Sequence, residues 1–186
     1  MKKLSVLLTL SLLFLLVGCF VIEEEKDKSA GLNGGFEIFR NGLPVNWLMY
    51  GPKTVKNADF KIAPDNEVYK EGKQSLRFDV VKCSSTGGVS PGFTNEFFQS
   101  GRFQGEGRYK LSFWVKNEGS TFEISAGGVS AKQGNMKTLI KEKEQISDWK
   151  FFEYQIYIPK DNWLRMELKI LQPGIFWIDD IQIEKE

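Results

Sequence analysis

Residues 108–116 show the clearest alternation of apolar and polar positions in the chain. One parity is apolar: Tyr109, Leu111, Phe113 and Val115. The other parity holds basic and small polar residues together with one large aromatic residue, Trp114. A two-residue period with aromatic and β-branched residues on one side is typical of a β-strand with one buried face. We therefore expect Trp114 to point away from the core, onto a surface.

Shorter segments of the same kind follow each other along the chain. The candidate strands are 59–63, 75–83, 92–99, 121–130, 150–158, 163–171 and 174–183. Residues 138–146 are rich in Lys and Glu but form no helical stripe, so we expect an edge strand or a loop there. Gly, Pro, Asn and Asp turns separate these segments. The pattern predicts an all-β fold, an antiparallel two-sheet β-sandwich, most simply a jelly roll.

The first 18 residues have the features of an export signal. Two lysines precede an apolar run from Leu4 to Val17, which is shorter than the ~20 apolar residues that a membrane-spanning helix needs. The run ends in Leu16-Val17-Gly18-Cys19, which resembles the lipobox of bacterial lipoproteins. The resemblance implies cleavage after residue 18 and a lipid on Cys19, which would anchor the protein to a membrane of the bacterial cell envelope, at the outer membrane or cell surface. An ordinary signal peptide or an uncleaved anchor is the alternative.

Residues 19–32 are predicted to be a lipid-anchored tether. Residues 23–29 are charged and have no apolar period, which indicates a solvated segment. The folded domain is expected to cover residues 33–186.

Charge and composition exclude several functions. The 25 basic and 24 acidic residues become 23 and 24 when residues 1–18, with their two lysines, are removed, giving a formal charge of −1. A near-neutral protein gives no electrostatic reason to expect nucleic-acid binding. The chain has no histidine, which excludes Ser-His-Asp and Cys-His catalysis and the usual zinc sites. No paired carboxylate motif of a glycosidase is visible, so we expect no enzyme.

Four landmarks in order carry a family resemblance. They are Asn33-Gly34-Gly35-Phe36-Glu37 with Gly42-Leu43-Pro44 and Trp47; Glu71-Gly72-Lys73-Gln74-Ser75-Leu76; Gln99 with the strand 109–116; and Trp177-Ile178-Asp179-Asp180-Ile181. Together they resemble carbohydrate-binding modules of families 4 and 9, which are galactose-binding-domain-like jelly rolls. The resemblance covers residues 31–186 and implies a glycan or polysaccharide as the partner.

The resemblance also implies a structural calcium ion where the chain ends meet. The positions that match are Glu37, Glu71 or a backbone carbonyl near residues 73 and 74, and Asp179, with Asp180 as a replacement if the strand is offset. Calcium takes six to eight oxygen ligands, which three such segments can supply. The alternative is that Glu37 and Asp179 bind backbone donors or lysines.

Sugar recognition needs an exposed aromatic face flanked by polar side chains. Trp114 meets the first requirement, while Trp47, Trp149 and Trp177 are expected to pack. The predicted ligand-binding residues are Trp114, Arg77, Gln99, Phe93 and Asn95. Arg77 and Gln99 share the outward parity of their strands, and Phe93 and Asn95 belong to a Gly/Ser-rich segment, 84–95, expected to form a loop over a cleft. The alternative is that a loop covers Trp114 and that Arg77 pairs with Asp79.

These expectations together describe a non-catalytic, polysaccharide-binding lipoprotein of the cell surface. The alternative is a structural or protein-interaction module that contacts other proteins of the cell envelope.

Overall fold

The computed structural model describes residues 23–84, 89–95, 105–130 and 133–186. This part of the chain contains two five-stranded sheets, a two-stranded hairpin and one turn of 3-10 helix, Lys28–Ala30. Sheet 1 has the order β10-β7-β12-β5-β4, with β4 Asp59–Asp65, β5 Ser75–Lys82, β7 Gly107–Glu118, β10 Ile146–Ile158 and β12 Gly174–Lys185. Sheet 2 has the order β3-β6-β11-β8-β9, with β3 Trp47–Tyr50, β6 Gly92–Asn95, β8 Phe122–Val129, β9 Gly134–Glu142 and β11 Trp163–Ile170. The hairpin pairs β1, Phe39–Arg40, with β2, Leu43–Pro44.

All strand pairs within the two sheets are antiparallel. The predicted all-β, two-sheet β-sandwich is therefore confirmed. Among the described residues, none of the helical structure is long and apolar enough to cross a membrane. The apolar run at residues 4–17 and Cys19 lie outside the described residues, so the lipoprotein hypothesis stays a prediction.

The core lies between the sheets and follows the predicted alternation. On β11 every second residue is fully buried: Leu164, Met166, Leu168 and Ile170. The rings of Phe36, Trp47 and Phe93 meet at centroid distances of 4.8 to 6.0 Å on the inner side of sheet 2. Burying one such side chain contributes roughly 1.5–3 kcal/mol, so this apolar layer holds the two sheets in a fixed relation.

The Lys/Glu-rich segment forms β9 at the edge of sheet 2. It pairs only with β8, and most of its side chains are exposed. Charged side chains are typical of an edge strand because they discourage pairing with another chain. Of the two predicted possibilities, the edge strand is the correct one.

The segment before residue 33 differs from the predicted solvated tether. Glu23 and Met49 exchange backbone hydrogen bonds (3.3 and 2.8 Å), and the N–H of Asn46 donates to the carbonyl of Glu25 (2.7 Å). The Asn46 side-chain amide also donates to the carbonyl of Asp27 (2.6 Å). Residues 23–32 thus line the edge of sheet 2 beside β3. Backbone hydrogen bonding does not depend on the charge of the side chains, so the charged sequence of this segment gave no sign of the pairing.

Candidate functional site

Trp114 lies at the centre of β7, on the side of sheet 1 that faces away from sheet 2. Its neighbours Phe113 and Val115 are fully buried, whereas Trp114 is half-buried. The predicted outward orientation of Trp114 is therefore confirmed.

Other aromatic side chains share this outer side of sheet 1. Phe151 is the cross-strand partner of Trp114, and the two ring centroids are 5.0 Å apart at an angle of 50°. Phe151 is 45% exposed and Tyr157, further along β10, is 58% exposed. Trp149, two residues before Phe151, is half-buried and lies where the pairing of β10 with β7 is irregular. We call this outer surface the aromatic face and define it by Trp114, Phe151, Tyr157 and Trp177.

Trp177 forms the floor of the aromatic face. Its register places it between Arg77 and Lys116, both on the outer side, yet it is only 3% exposed. The guanidinium carbon of Arg77 lies 5.4 Å from its ring and the ammonium of Lys116 lies 4.9 Å away. Its indole Nε1 donates to Oδ2 of Asp65 (2.9 Å). As expected, Trp177 packs, but under charged side chains rather than in the apolar core.

Arg77 lies on the aromatic face but is already engaged. Its Nε and one terminal nitrogen donate to Oδ1 of Asp79 (3.0 and 2.8 Å). Its other terminal nitrogen donates to Oδ2 of Asp65 (3.1 Å). The hydrogen bond to Asp79 is the main reason that the pKa of Arg77 is raised. These contacts match the alternative for this residue, in which it pairs with Asp79 instead of binding a ligand.

Asp65 binds four partners at this end of sheet 1. Besides Trp177 and Arg77, its Oδ1 accepts the backbone N–H groups of Glu67 and Val68, both at 3.0 Å. Burial alone would raise its pKa, but the hydrogen bonds, led by that from Trp177, outweigh burial and lower the pKa to about 2. The carboxylate therefore stays ionised and fixes both the floor and the loop that follows β4.

The β4–β5 loop, residues 66–74, places a cation over the exposed ring pair. The ammonium of Lys70 lies 4.2 Å from the centroid of the Trp114 ring. A cation–π contact at an exposed site contributes only about 0.5–1 kcal/mol. One side of the indole is thus covered, but by a side chain that a ligand can displace.

Three carboxylates hold this loop by its backbone. Each binds two consecutive N–H groups: Asp65 those of residues 67 and 68, Asp179 those of residues 70 and 71, and Glu37 those of residues 73 and 74. Between the last two pairs Gly72 has a φ of +67°, and a Cβ there would lie 2.1 Å from Oε1 of Glu37. A glycine is therefore required, and the loop has a fixed path.

Glu37 and Asp179, the predicted calcium ligands, each accept two backbone N–H groups of this loop. The second oxygen of Asp179 accepts the N–H of Asp180 (2.7 Å), so three N–H groups point at a fully buried carboxylate. Burial raises the pKa of Asp179 to about 6, against the opposing effect of these hydrogen bonds. A calcium site needs oxygen ligands, and a carboxylate surrounded by N–H donors does not fit one.

Glu71 contributes its backbone N–H to Asp179, and its side chain is exposed. Among the described residues there is no group of three or more Asp, Glu, Cys or His that could hold a metal ion. The observed arrangement matches the alternative of bound backbone donors, and calcium stays a prediction.

Phe93 and Asn95 do not lie in a loop, and this prediction is wrong. Both belong to β6 and are fully buried. Phe93 contacts core rings, and Asn95 bridges to β11 by donating to the carbonyl of Leu164 (3.0 Å) and accepting the N–H of Met166 (2.7 Å). Neither can contact a ligand here. Gln99 lies outside the described residues.

The outer side of sheet 2 carries a different surface. Arg165 donates to the hydroxyl of Tyr50 (2.8 Å) and to Oγ1 of Thr94 (3.2 Å), and Tyr50 donates to Oε1 of Glu167 (3.1 Å). Burial and the neighbouring Glu167 raise the pKa of Tyr50 to about 12. We call this surface the polar face and define it by Tyr50, Thr94, Ser125, Arg165 and Glu167. Tyr50, Thr94, Arg165 and Glu167 bind one another, Ser125 donates to Glu123 (3.4 Å), and the ring of Tyr50 is buried.

A small open cleft lies at one end of the sandwich, next to Tyr157. Residues 105, 106 and 160–163 line it, and the hydroxyl of Tyr157 donates to Glu106 on its rim. Trp163 is half-buried there. The cleft has no second aromatic residue among the described residues that line it.

Sequence analysis did not identify Phe151 and Lys70 as residues of the site. A signal for Phe151 was present, because the inward assignment of Phe152 turns Phe151 outward. Lys70 has no such signal, since two of the carboxylates that position its loop, Glu37 and Asp179, are far away in sequence.

Comparison with known proteins finds similarity to solved structures but no match to a protein family or to a curated protein. One similar solved structure contains the CBM22-1 and GH10 modules of xylanase 10B from Clostridium thermocellum, complexed with xylohexaose, at 19% identity and a TM-score of 0.55. The match covers 76% of this chain and 26% of that one, so this chain spans about a quarter of its length.

Two further structures are single modules. The CBM22-1 xylan-binding domain of Paenibacillus barcinonensis Xyn10C has 17% identity and a TM-score of 0.54, covering 82% of this chain and 91% of that one. The C-terminal family 22 module of Clostridium thermocellum Xyn10B has 16% identity and a TM-score of 0.55, covering 82% and 95%. These modules belong to family 22, and none of the structures named here belongs to families 4 or 9. At such identities the likeness shows that this chain has the jelly-roll β-sandwich fold of carbohydrate-binding modules.

Proposed function

We propose that this protein binds polysaccharide without catalysis and that the ligand lies across the aromatic face at Trp114 and Phe151. The observation that carries the proposal is this ring pair, which is accessible to solvent on the outer side of a rigid five-stranded sheet. Aromatic rings present flat apolar surfaces to the CH faces of sugar rings.

Polar side chains flank the ring pair. The next row of sheet 1 holds Gln182, Ser112 and Glu153, and the row after it holds Glu184, Lys110 and Gln155. Ser112 is buried. The exposed side chains of both rows offer donors and acceptors suited to hydroxyl groups, although Gln182 already donates to Asp180, Gln155 to Glu186, and Lys110 pairs with Glu184. From Phe151 to Tyr157 is six residues, or roughly 20 Å along a strand. The surface is therefore long enough for several sugar rings in a row.

The similar structures support polysaccharide as the ligand class. One of them is named as a xylan-binding domain, and another is complexed with xylohexaose. The landmarks of families 4 and 9 support the same class. Both support the proposal that this protein is a carbohydrate-binding module.

The sequence at Cys19 supports a lipid anchor, and we propose that this anchor holds the module at the bacterial cell envelope. Metabolic labelling with a fatty acid tests it: label should appear in the wild-type chain and be absent from Cys19→Ser. Equal labelling of both chains would contradict the anchor and leave sugar binding untouched.

Affinity electrophoresis of the full chain in gels containing different polysaccharides tests the function. Wild type should be retarded by at least one polysaccharide, and Trp114→Ala should lose at least tenfold in affinity, because it loses the stacking surface. Tyr50→Phe is the matched control on the polar face and should bind like wild type. Retention by no polysaccharide, or equal retention of wild type and Trp114→Ala, would overturn the proposal.

The alternative is an interaction module for other envelope proteins. It requires a contiguous exposed apolar patch. The large apolar residues that are clearly exposed in the described ranges are Ile38, Tyr69, Val81, Phe151 and Tyr157. Phe151 and Tyr157 share β10 but are separated by two polar rows of the sheet, and the other three lie in separate segments, which favours sugar over protein.

A further inference from the structure

The ammonium of Lys70, 4.2 Å from the centre of the Trp114 ring, adds a charge to the proposed sugar site. We propose that the aromatic face selects acidic polysaccharides, and that Lys70 pairs with the carboxylate of a uronic acid ring stacked at Trp114 and Phe151. This inference rests on the proposed function and names its substrate class.

The backbone of Lys70 is held in place by a buried carboxylate. Its N–H donates to Oδ2 of Asp179 (2.8 Å), which is fully buried. Asp65 and Glu37 fix the loop on either side. Asp179 is also the cross-strand partner of Trp114, so the carboxylate that anchors the lysine sits directly beside the strand position of the indole. Such preorganisation reduces the entropy that binding must overcome.

Lys70 differs from three neighbouring cations on the outer side of sheet 1, which are already paired with carboxylates. Arg77 pairs with Asp65 (3.1 Å) and Asp79 (2.8 Å), Lys116 with Glu118 (3.2 Å), and Lys110 with Glu184 (3.0 Å). For Lys70, no carboxylate within the described ranges lies at ion-pair distance. Its ammonium lies over the face of the Trp114 ring, and in that position it offers its charge to a ligand.

Neutral and acidic sugar rings are expected to affect the contact between Lys70 and Trp114 differently. A neutral ring that stacks on the covered side of Trp114 must displace the ammonium and gains nothing in exchange. A ring that carries a carboxylate can keep the ammonium near the indole and form a charge-assisted hydrogen bond, which is stronger than a neutral one. The same lysine thus disfavours neutral polysaccharides and favours acidic ones.

The aromatic face carries charges of both signs, so we expect the influence of Lys70 on ligand choice to be confined to the surroundings of Trp114. Glu153 and the Lys110–Glu184 pair lie further along the strands, and Glu71 is exposed next to Lys70. We therefore expect binding of a chain with spaced carboxylates, and no general attraction of polyanions.

The test compares polysaccharides that differ only in their carboxylates. The affinity of the full chain is measured by calorimetry for glucuronoxylan and for polygalacturonate, each beside the same polymer after chemical reduction of its carboxyl groups. At low salt the acidic form of at least one polymer should bind about tenfold more tightly than its reduced form, and the ratio should shrink as ionic strength rises.

Two lysine variants of the same loop separate the proposal from general charge effects. Lys70→Met should abolish the preference and leave binding of the reduced polymer equal or tighter, while Lys73→Met, which removes an equal charge from the loop, should keep the preference. Melting curves should match for all three proteins, because the loop is held by backbone N–H groups.

Each other outcome has a distinct meaning. Equal binding of acidic and reduced forms, a preference that survives Lys70→Met, or binding of neutral polymers alone would overturn the selection of acidic chains and leave polysaccharide binding intact. Binding of no polymer of either kind would overturn both proposals.

Discussion

The two outer sides of the sandwich differ in how their polar groups and aromatic rings are arranged. On the polar face Arg165 binds Tyr50 and Thr94, Tyr50 binds Glu167, and Tyr50 is 9% exposed. On the aromatic face the charged groups lie above rings, and Phe151 keeps 45% of its surface exposed. The groups of the polar face bind one another, whereas the aromatic face leaves apolar ring surface uncovered. Stacking on a sugar requires exposed ring surface, which is why we propose the aromatic face as the binding side.

The largest expected difference between the faces is in their response to pH. Asp179, under the aromatic face, has a pKa raised to about 6 by burial, against ~3.9 in an unfolded chain. The folded state therefore binds more protons between these values, and the free energy of unfolding falls as pH rises from 4 to 6 and is then flat. The size is on the order of 3 kcal/mol.

Urea unfolding of wild type and Asp179→Asn between pH 4 and 7 checks this. The wild type should lose ~3 kcal/mol relative to the variant over that range. Tyr50, on the polar face, has a pKa raised to about 12 and does not titrate in this range. Parallel curves for the two proteins would contradict the raised pKa.

Tyr50→Phe gives the next largest effect and separates stability from binding. The variant loses the hydroxyl that joins Arg165 and Glu167 and should reduce the free energy of unfolding by about 1–2 kcal/mol. Its affinity for polysaccharide should not change. A loss of affinity with normal stability would move the ligand from the aromatic face to the polar face.

Phe151→Ala is expected to reduce binding and leave stability nearly unchanged, which is the reverse of Tyr50→Phe. The ring is nearly half exposed, so the midpoint of thermal unfolding should shift little, while the affinity for polysaccharide should fall severalfold because one of the two stacking rings is lost. Tyr157→Ala, at the far end of the aromatic face, should weaken binding of long chains more than of short ones. Equal affinities of Phe151→Ala and wild type for all chain lengths would contradict the role of the ring pair.

The smallest expected effect concerns calcium. Because N–H groups surround the carboxylate of Asp179, adding a chelator should leave the melting temperature unchanged. A fall in melting temperature with chelator, reversed by calcium, would restore the site implied by the resemblance and show that the loop changes its hydrogen bonds.

Much of the fold was predictable because a strand with one buried face imprints a two-residue period on its sequence. That period gave the strands, the core positions of β11 and the outward orientation of Trp114 and Arg77. It also predicted a strand at 92–99, which contains β6. The error at Phe93 and Asn95 came from the glycines and serines of residues 84–95, which led us to expect a loop over a cleft.

The candidate site was predictable only in part. Trp114 came from alternation within its own strand. The position of Lys70 depends on Glu37 and Asp179, which are brought to the loop only by the completed sandwich, as well as on Asp65, which directly precedes the loop. The same holds for Tyr50 and Arg165, 115 positions apart in sequence. Contacts of this range leave no local pattern, which is why both faces had to be seen in three dimensions.

The most direct test of the account is to locate a bound polysaccharide by NMR on the isotope-labelled protein. The indole signal of Trp114, assigned through Trp114→Phe, and the signals of Phe151 and Lys70 should show the largest shift changes on titration. Tyr50, Thr94 and Arg165 should be unaffected. The largest changes at those three residues, with the Trp114 indole unchanged, would contradict the assignment of the aromatic face as the binding surface.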